Sequence, residues 1–170
     1  VIDIDGQNPL KLTTGPRDHQ QGKWSPDGSQ LLFQSDRGDQ TGNHAEVYLM
    51  EADGSNQSRL TDGSWSGSPS WSPDGGKIAY VSTPYGDNNL EIFLMKSDGS
   101  SQMNLTNNAA VDAGFIWSPD GTKLAFYSDR DGNREIYVVD TDGNDLTRLT
   151  DTLGAEYLGG WRPLEATKGP

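Results

Sequence analysis

The run Asp129 Arg130 Asp131 Gly132 Asn133 Arg134 Glu135 sets oxygen-bearing side chains at alternate positions around a glycine. A hard cation needs several oxygen ligands, so Asp129, Asp131, Asn133 and Glu135 form a candidate calcium loop. The glycine is displaced from its place in an EF-hand loop, and no bidentate acid follows at the right distance. The same residues read equally as a turn in which Asp129 bonds the backbone or Arg130. Other chemistry is sparse. The two histidines, His19 and His44, lie beside no Gly-x-Ser-x-Gly phrase and are too few and scattered for a histidine-rich metal site. No catalytic residue is assigned, and calcium is the one cofactor considered.

Binding chemistry is better represented. His44, Trp65, Tyr85, Asp87, Asn88, Asn89, Arg134 and Tyr157 supply aromatic, amide and charged groups of the kind that recognise a protein surface. Taken singly, each also reads as a residue of a solvated loop.

What positions these residues is a repeat. Trp24 Ser25 Pro26 Asp27 Gly28 recurs at Trp71 and at Trp117, and Trp161 Arg162 Pro163 is a clipped fourth copy, at intervals of 44 to 47 residues. A period of this length, with short strands inside each unit, is the signature of a β-propeller with one blade per repeat. The expected fold is therefore all-β, with four-stranded antiparallel blades. Complete blades are expected over 20–61, 67–106 and 113–150, a partial blade over 1–13, a closing strand over 156–164 and a polar tail over 165–170. That makes about four blades, either a segment of a larger propeller or a ring of four with one incomplete.

Within each unit, Ser-Pro-Asp-Gly reverses the chain, because Pro presets φ, Asp bonds its own backbone and Gly accepts positive φ. The second and third strands, such as Leu124 Ala125 Phe126 Tyr127 and Glu135 Ile136 Tyr137 Val138 Val139, are apolar on both faces, as suits sheets covered by neighbours. Asp-Gly at 53–54, 98–99 and 142–143 turns into the fourth strand. Both kinds of turn belong on one face, leaving the second-to-third-strand loops and the inter-blade links on the other, where length and type vary most. Asp36 Arg37 repeats Asp129 Arg130 but Thr83 Pro84 does not, so no ligand set is common to every blade. Trp24, Trp71, Trp117 and Trp161 are expected between blades. Trp65 has no counterpart and is expected to be the exposed tryptophan.

Thirteen basic against 25 acidic side chains give a net charge of −12, which repels nucleic acid and suits a basic protein surface or a calcium ion. There is no cysteine, and no apolar run of membrane-spanning length.

The succession Trp-Ser-Pro-Asp-Gly, Leu-Ala-Phe, Ser-Asp-Arg, Glu-Ile-Tyr-Val, Asp-x-Asp-Gly and Leu-Thr resembles the propeller repeat of the TolB family, a relative of WD-type propellers. Gly160 Trp161 Arg162 Pro163 Leu164 is similar to the strand that closes such a propeller, so the resemblance is to its C-terminal part. It implies a non-catalytic, protein-binding propeller in the bacterial periplasm or outside the cell. The repeat also occurs in accessory propellers of prolyl-oligopeptidase-like and tricorn-like peptidases. Self-association, with neighbouring copies completing the blades through unpaired strand edges, is a third expectation.

Overall fold

A computed structural model describes residues 1–2, 5–14, 19–39, 44–62, 65–84 and 89–161. These contain twelve strands in three antiparallel sheets of four. The first blade is β1 (His19–Trp24), β2 (Gln30–Ser35), β3 (Glu46–Glu51) and β4 (Ser58–Arg59). The second is β5 (Ser66–Trp71), β6 (Lys77–Ser82), β7 (Glu91–Lys96) and β8 (Met103–Asn104), and the third is β9 (Asp112–Trp117), β10 (Lys123–Ser128), β11 (Glu135–Asp140) and β12 (Thr147–Arg148). Strand order follows chain order in each sheet, so every blade is a simple meander. The described residues of 1–14 and 149–161 lie outside the three sheets.

The turn chemistry is the same in all three blades. Asp27 Oδ1 accepts from Ser25 Oγ at 2.6 Å and Ser29 N at 3.0 Å, Asp74 from Ser72 Oγ and Gly76 N, and Asp120 from Ser118 Oγ and Thr122 N. The serine hydroxyl, with the amide two residues on, holds the Asp27 and Asp120 carboxyls down at about 2. In the second turn Asp53, Asp98 and Asp142 each accept the amide two residues on, beside Gly54, Gly99 and Gly143 at φ of +85° to +86°. Ala52 N to Ser29 O, Ser97 N to Gly76 O and Thr141 N to Thr122 O tie the two turns of each blade together on one face.

The core lies between the blades. Leu32, Val47 and Leu49 of the first pack with Trp71, Ile78, Tyr80 and Met95 of the second. Ala79, Ile92 and Leu94 of the second pack with Leu124, Phe126, Tyr137 and Val139 of the third. Alternate residues of one strand thus serve opposite neighbours, which is why β2, β6 and β10 carry continuous apolar runs. On the outer face of blade 1, Leu12 packs against Leu31, Phe33, Tyr48 and Met50.

Each blade joint also carries a tryptophan latch. The Trp71 indole N–H donates to Lys23 O at 3.1 Å, Trp117 to Ser70 O at 3.4 Å and Trp161 to Ile116 O at 3.3 Å. Every acceptor is the residue just before the previous unit's own tryptophan. Trp24 departs from the packing role expected for it. It is 44% exposed, because among the described residues no preceding unit offers its indole a carbonyl. Trp65, expected as the exposed tryptophan, is instead half-buried, its carbonyl held by Thr83 N and Ser82 Oγ.

Each first strand contains a bulge where it pairs with the second. Gln21, Ser68 and Gly114 occupy it at φ of +57°, +52° and +57°. Two of the three positions thus hold a side chain in the left-handed region, where glycine is usual.

Candidate functional site

The face opposite the paired turns is built from the loops after β2, β6 and β10 and from the links between blades. Its most developed part surrounds the loop 129–134. Ser128 Oγ accepts from Arg130 N and Nε, and Gly132 N donates to Asp129 O, so the chain turns as soon as β10 ends. The Arg130 guanidinium lies 4.7 Å from the Tyr137 ring centre and 5.5 Å from that of Phe126, and reaches the fully buried Asp112 at 2.9 Å. Arg37 lies in the same way over Phe33 and Tyr48. Ser-Asp-Arg is thus a device that lays a cation across the aromatic pair of the second and third strands. Blade 2, with Thr83 Pro84, keeps the stacked Tyr80 and Phe93 but has no arginine at that place.

On one flank of the loop, Asn108, Ala109 and Ala110 of the inter-blade link and Asp129, Arg130 and Gly132 line an open cleft of about 500 Å³. Asp129 Oδ1 accepts Val111 N at 2.9 Å, which ties the loop to the link. On the other flank the Arg134 guanidinium lies 4.2 Å from the Tyr127 ring centre and 5.5 Å from that of Tyr157. Glu156 N donates to Arg134 O, so the segment carrying Tyr157 is anchored to the loop, while the Tyr157 side chain stays 70% exposed.

The structure thus unites Arg134 and Tyr157 and adds Tyr127, which sequence reasoning left in the strand. The available signal is that Tyr127 stands where Gln34 and Val81 stand in the other blades. His44 lies apart on the blade 1 loop, its Nδ1 3.3 Å from Asp39 Oδ2. Asn89 is a staple, donating to Glu91 Oε1 and Asn108 O. Tyr85, Asp87 and Asn88 lie outside the described residues.

The four residues considered for calcium each have protein partners. Asp131 accepts from the Tyr137 hydroxyl and faces Arg148. Asn133 donates to Glu135 and to the carbonyls of Thr152 and Gly154. Glu135, fully buried, accepts from Thr150 Oγ1, Thr152 N and Asn133, with Arg148 at 3.2 Å. Among the described residues no three acidic or histidine side chains converge to hold a metal ion.

The Thr150 hydroxyl, the Thr152 amide, Asn133 and Arg148 hold the Glu135 carboxyl down at about 2. Burial, then Asp131, pushes the Tyr137 hydroxyl up to about 12. Glu91, the counterpart of Glu135, is shifted the other way: burial raises it, and Asn104 stands where Arg148 stands in blade 3. Asp27, Asp120 and Glu135 are depressed on folding, so the stability they lend is full above the unfolded carboxyl range near 4 and is lost as pH falls toward 2. Glu91 has the opposite sign, its contribution being present below the unfolded value and lost as pH rises through its raised one. The lowered carboxyls, which also include Asp53, Asp74, Asp98 and Asp142, outnumber Glu91, so urea denaturation midpoints are expected to fall as pH drops from about 4 toward 2; a midpoint that holds or rises there contradicts this carboxylate network.

Four-stranded meanders standing side by side, a tryptophan latch at each joint and loops sorted to two faces define a β-propeller. The family described as TolB beta propeller domain matches residues 62–165, more than half of the sequence. The chain belongs to that family. It is 44% identical over 69 residues to an uncharacterized peptidase, YuxL, of Bacillus subtilis, a match covering 40% of this chain and 9% of that protein. It superposes on the crystal structure of TolB from Acinetobacter baumannii with a TM-score of 0.71 and 25% identity, over 92% of this chain and 38% of that one. A puromycin-hydrolyzing peptidase of Mycobacterium tuberculosis shares the fold, with a TM-score of 0.67 and 20% identity, over 80% of this chain and 22% of that one. The chain therefore spans well under half the length of each of these relatives.

Proposed function

We propose that the chain is a non-catalytic propeller module that binds a protein partner through its variable-loop face, in the bacterial periplasm or outside the cell. The observation that carries this reading is Arg134 lying over the rings of Tyr127 and the exposed Tyr157, across the loop from the cleft at Asn108 to Ala110. Tyrosine and arginine dominate the energetics of protein interfaces, and an arginine already stacked on rings loses little freedom on binding. The net charge of −12 favours a partner with a basic surface. A photo-crosslinking side chain at Tyr157 is expected to capture one discrete protein in cells, whereas the same group at Ser55, on the turn face, captures none. Arg134→Ala is expected to weaken capture about tenfold, roughly 1.4 kcal/mol. Equal capture from both faces, or none from Tyr157, would sink the reading.

A second reading is an accessory propeller of a peptidase, favoured by the 44% identity to the Bacillus protein. The intact mass of the native polypeptide tests it: a following hydrolase domain with a Gly-x-Ser-x-Gly phrase supports this reading, and a mass without room for one removes it.

A further inference from the structure

The link from blade 2 to blade 3 hangs between two buried carboxyls. Glu91, which opens β7, is 1% exposed, and Asp112, which opens β9, is 0% exposed. Glu91 Oε1 accepts Asn108 N at 3.0 Å and Asn89 Nδ2 at 2.8 Å, and Oε2 accepts the Thr106 hydroxyl. The Asn108 side chain in turn donates to Asp112 Oδ2 and accepts Ala110 N at 2.7 Å. One asparagine thus fastens the stretch Asn108 to Ala110, a wall of the open cleft, to both blades at once.

The link after blade 3 is fastened by the same parts and one more. Glu135 accepts Thr150 Oγ1, Thr152 N and Asn133 Nδ2, the counterparts of the three donors at Glu91, and has the Arg148 guanidinium at 3.2 Å besides. Asn104 stands in place of that arginine in blade 2, so the three donors to Glu91 are all neutral. The charged group that faces Glu91 is Asp112, of its own sign, and the Arg130 guanidinium is bonded to Asp112 at 2.9 Å. Ser82, opposite Glu91 on β6, is neutral too. A buried carboxylate held only by neutral donors is less favourable than the protonated acid in the same place. Both blades of this joint are present among the described residues.

We infer that Glu91 is a proton-operated clasp on this wall of the cleft: with a proton it keeps Asn108 in place, and once ionised it turns to water and lets the link 107–111 open. Burial first, with Asp112 adding to it, raises Glu91 above its ordinary value of 4.5, whereas Glu135 is held down at about 2. The closed link is therefore favoured in full below the ordinary value and loses that advantage as pH rises through the raised one. Between the two, the ratio of open to closed grows about tenfold per pH unit, the slope for one proton, and above them it levels off. The inference rests on the proposed recognition face only for its use: a partner docking there meets a firm wall in acid and a yielding one at higher pH.

The test is amide hydrogen exchange of the 170-residue chain from pH 4.5 to pH 8, corrected for the intrinsic exchange rate. It needs no partner, so its failure is distinct from failure of the recognition reading. The amides of Asn108, Ala110 and Val111 are expected to lose protection as pH rises, approaching about tenfold per unit, while those of β7 and β10 show no such slope. Glu91→Gln, a neutral isostere, is expected to abolish the slope. Asn104→Arg, which supplies the missing cation, is expected to flatten it as well, although it gives up the Asn104 bond to Asn107 N. Slope and not level is the readout, so a variant of altered stability still answers the question. A flat profile in the parent chain overturns the inference, as does an unchanged slope in either variant or an equal slope in the strand amides, which is the mark of global unfolding.

Discussion

Trp71→Ala is expected to cost about 3–5 kcal/mol of folding stability, the range for a buried tryptophan, while Trp24→Ala costs less than about 1 kcal/mol, as at an exposed position. The two residues open the same five-residue phrase. Trp71 is 8% exposed, fills the space between blades 1 and 2 against Leu32, Leu49 and Ile78, and donates its N–H to Lys23 O. Its removal leaves both a cavity and a carbonyl without its partner. Trp24 has the same local turn but, among the described residues, no carbonyl to latch to, and at 44% exposure its truncation removes little that folding had buried. Urea denaturation measures both. Equal losses would mean that the phrase stabilises through its turn and not through the joint between blades.

Gly114→Ala is expected to lose about 3 kcal/mol, from a left-handed backbone and an overpacked ring together. Gly114 sits at φ +57°, and a Cβ there would lie 2.0 Å from Tyr127 Cε1 and 2.6 Å from Cδ1. The ring cannot simply swing aside, because the Arg134 guanidinium lies 4.2 Å from its centre. Gly132→Ala separates the two causes. Gly132 has φ +103° but nothing within 4 Å, so it carries the backbone cost alone, about 1–2 kcal/mol. The double variant Gly114→Ala with Tyr127→Ala should recover part of the difference. A Gly114→Ala loss no greater than that of Gly132→Ala would show that the bulge and the ring are not in contact. The same substitution is expected to disturb the Arg134 and Tyr157 arrangement, so the photo-capture from position 157 should weaken with it.

The turns were legible in the sequence because their causes are local. Ser, Pro, Asp and Gly within four residues satisfy one another's backbone groups whatever lies beyond, and Asp27, Asp74 and Asp120 behave alike. The Asp-Gly turns were legible for the same reason, and so was the all-β blade, whose strand types recur with the turns. Of the residues proposed for recognition, Arg134 and Tyr157 could be named but not joined. They are 23 positions apart, and the side chain between them, Tyr127, reads as one more aromatic of a strand. The candidate calcium loop could likewise be named, but not the protein partners of its oxygens. Its oxygens alternate as ligands do, and only the folded chain places Thr150, Thr152, Val111, Tyr137 and Arg148 against them.

By itself the sequence determined the repeat, the turn that opens each unit, the apolar strands and the charge the surface carries, since these follow from residues close together in the chain. The tertiary structure alone decided which tryptophan is buried and which is bare, and that Tyr127 carries Arg134. Those outcomes depend on what stands beside a residue across the gap between two sheets, and identical local sequence holds no information about whether that neighbour is there.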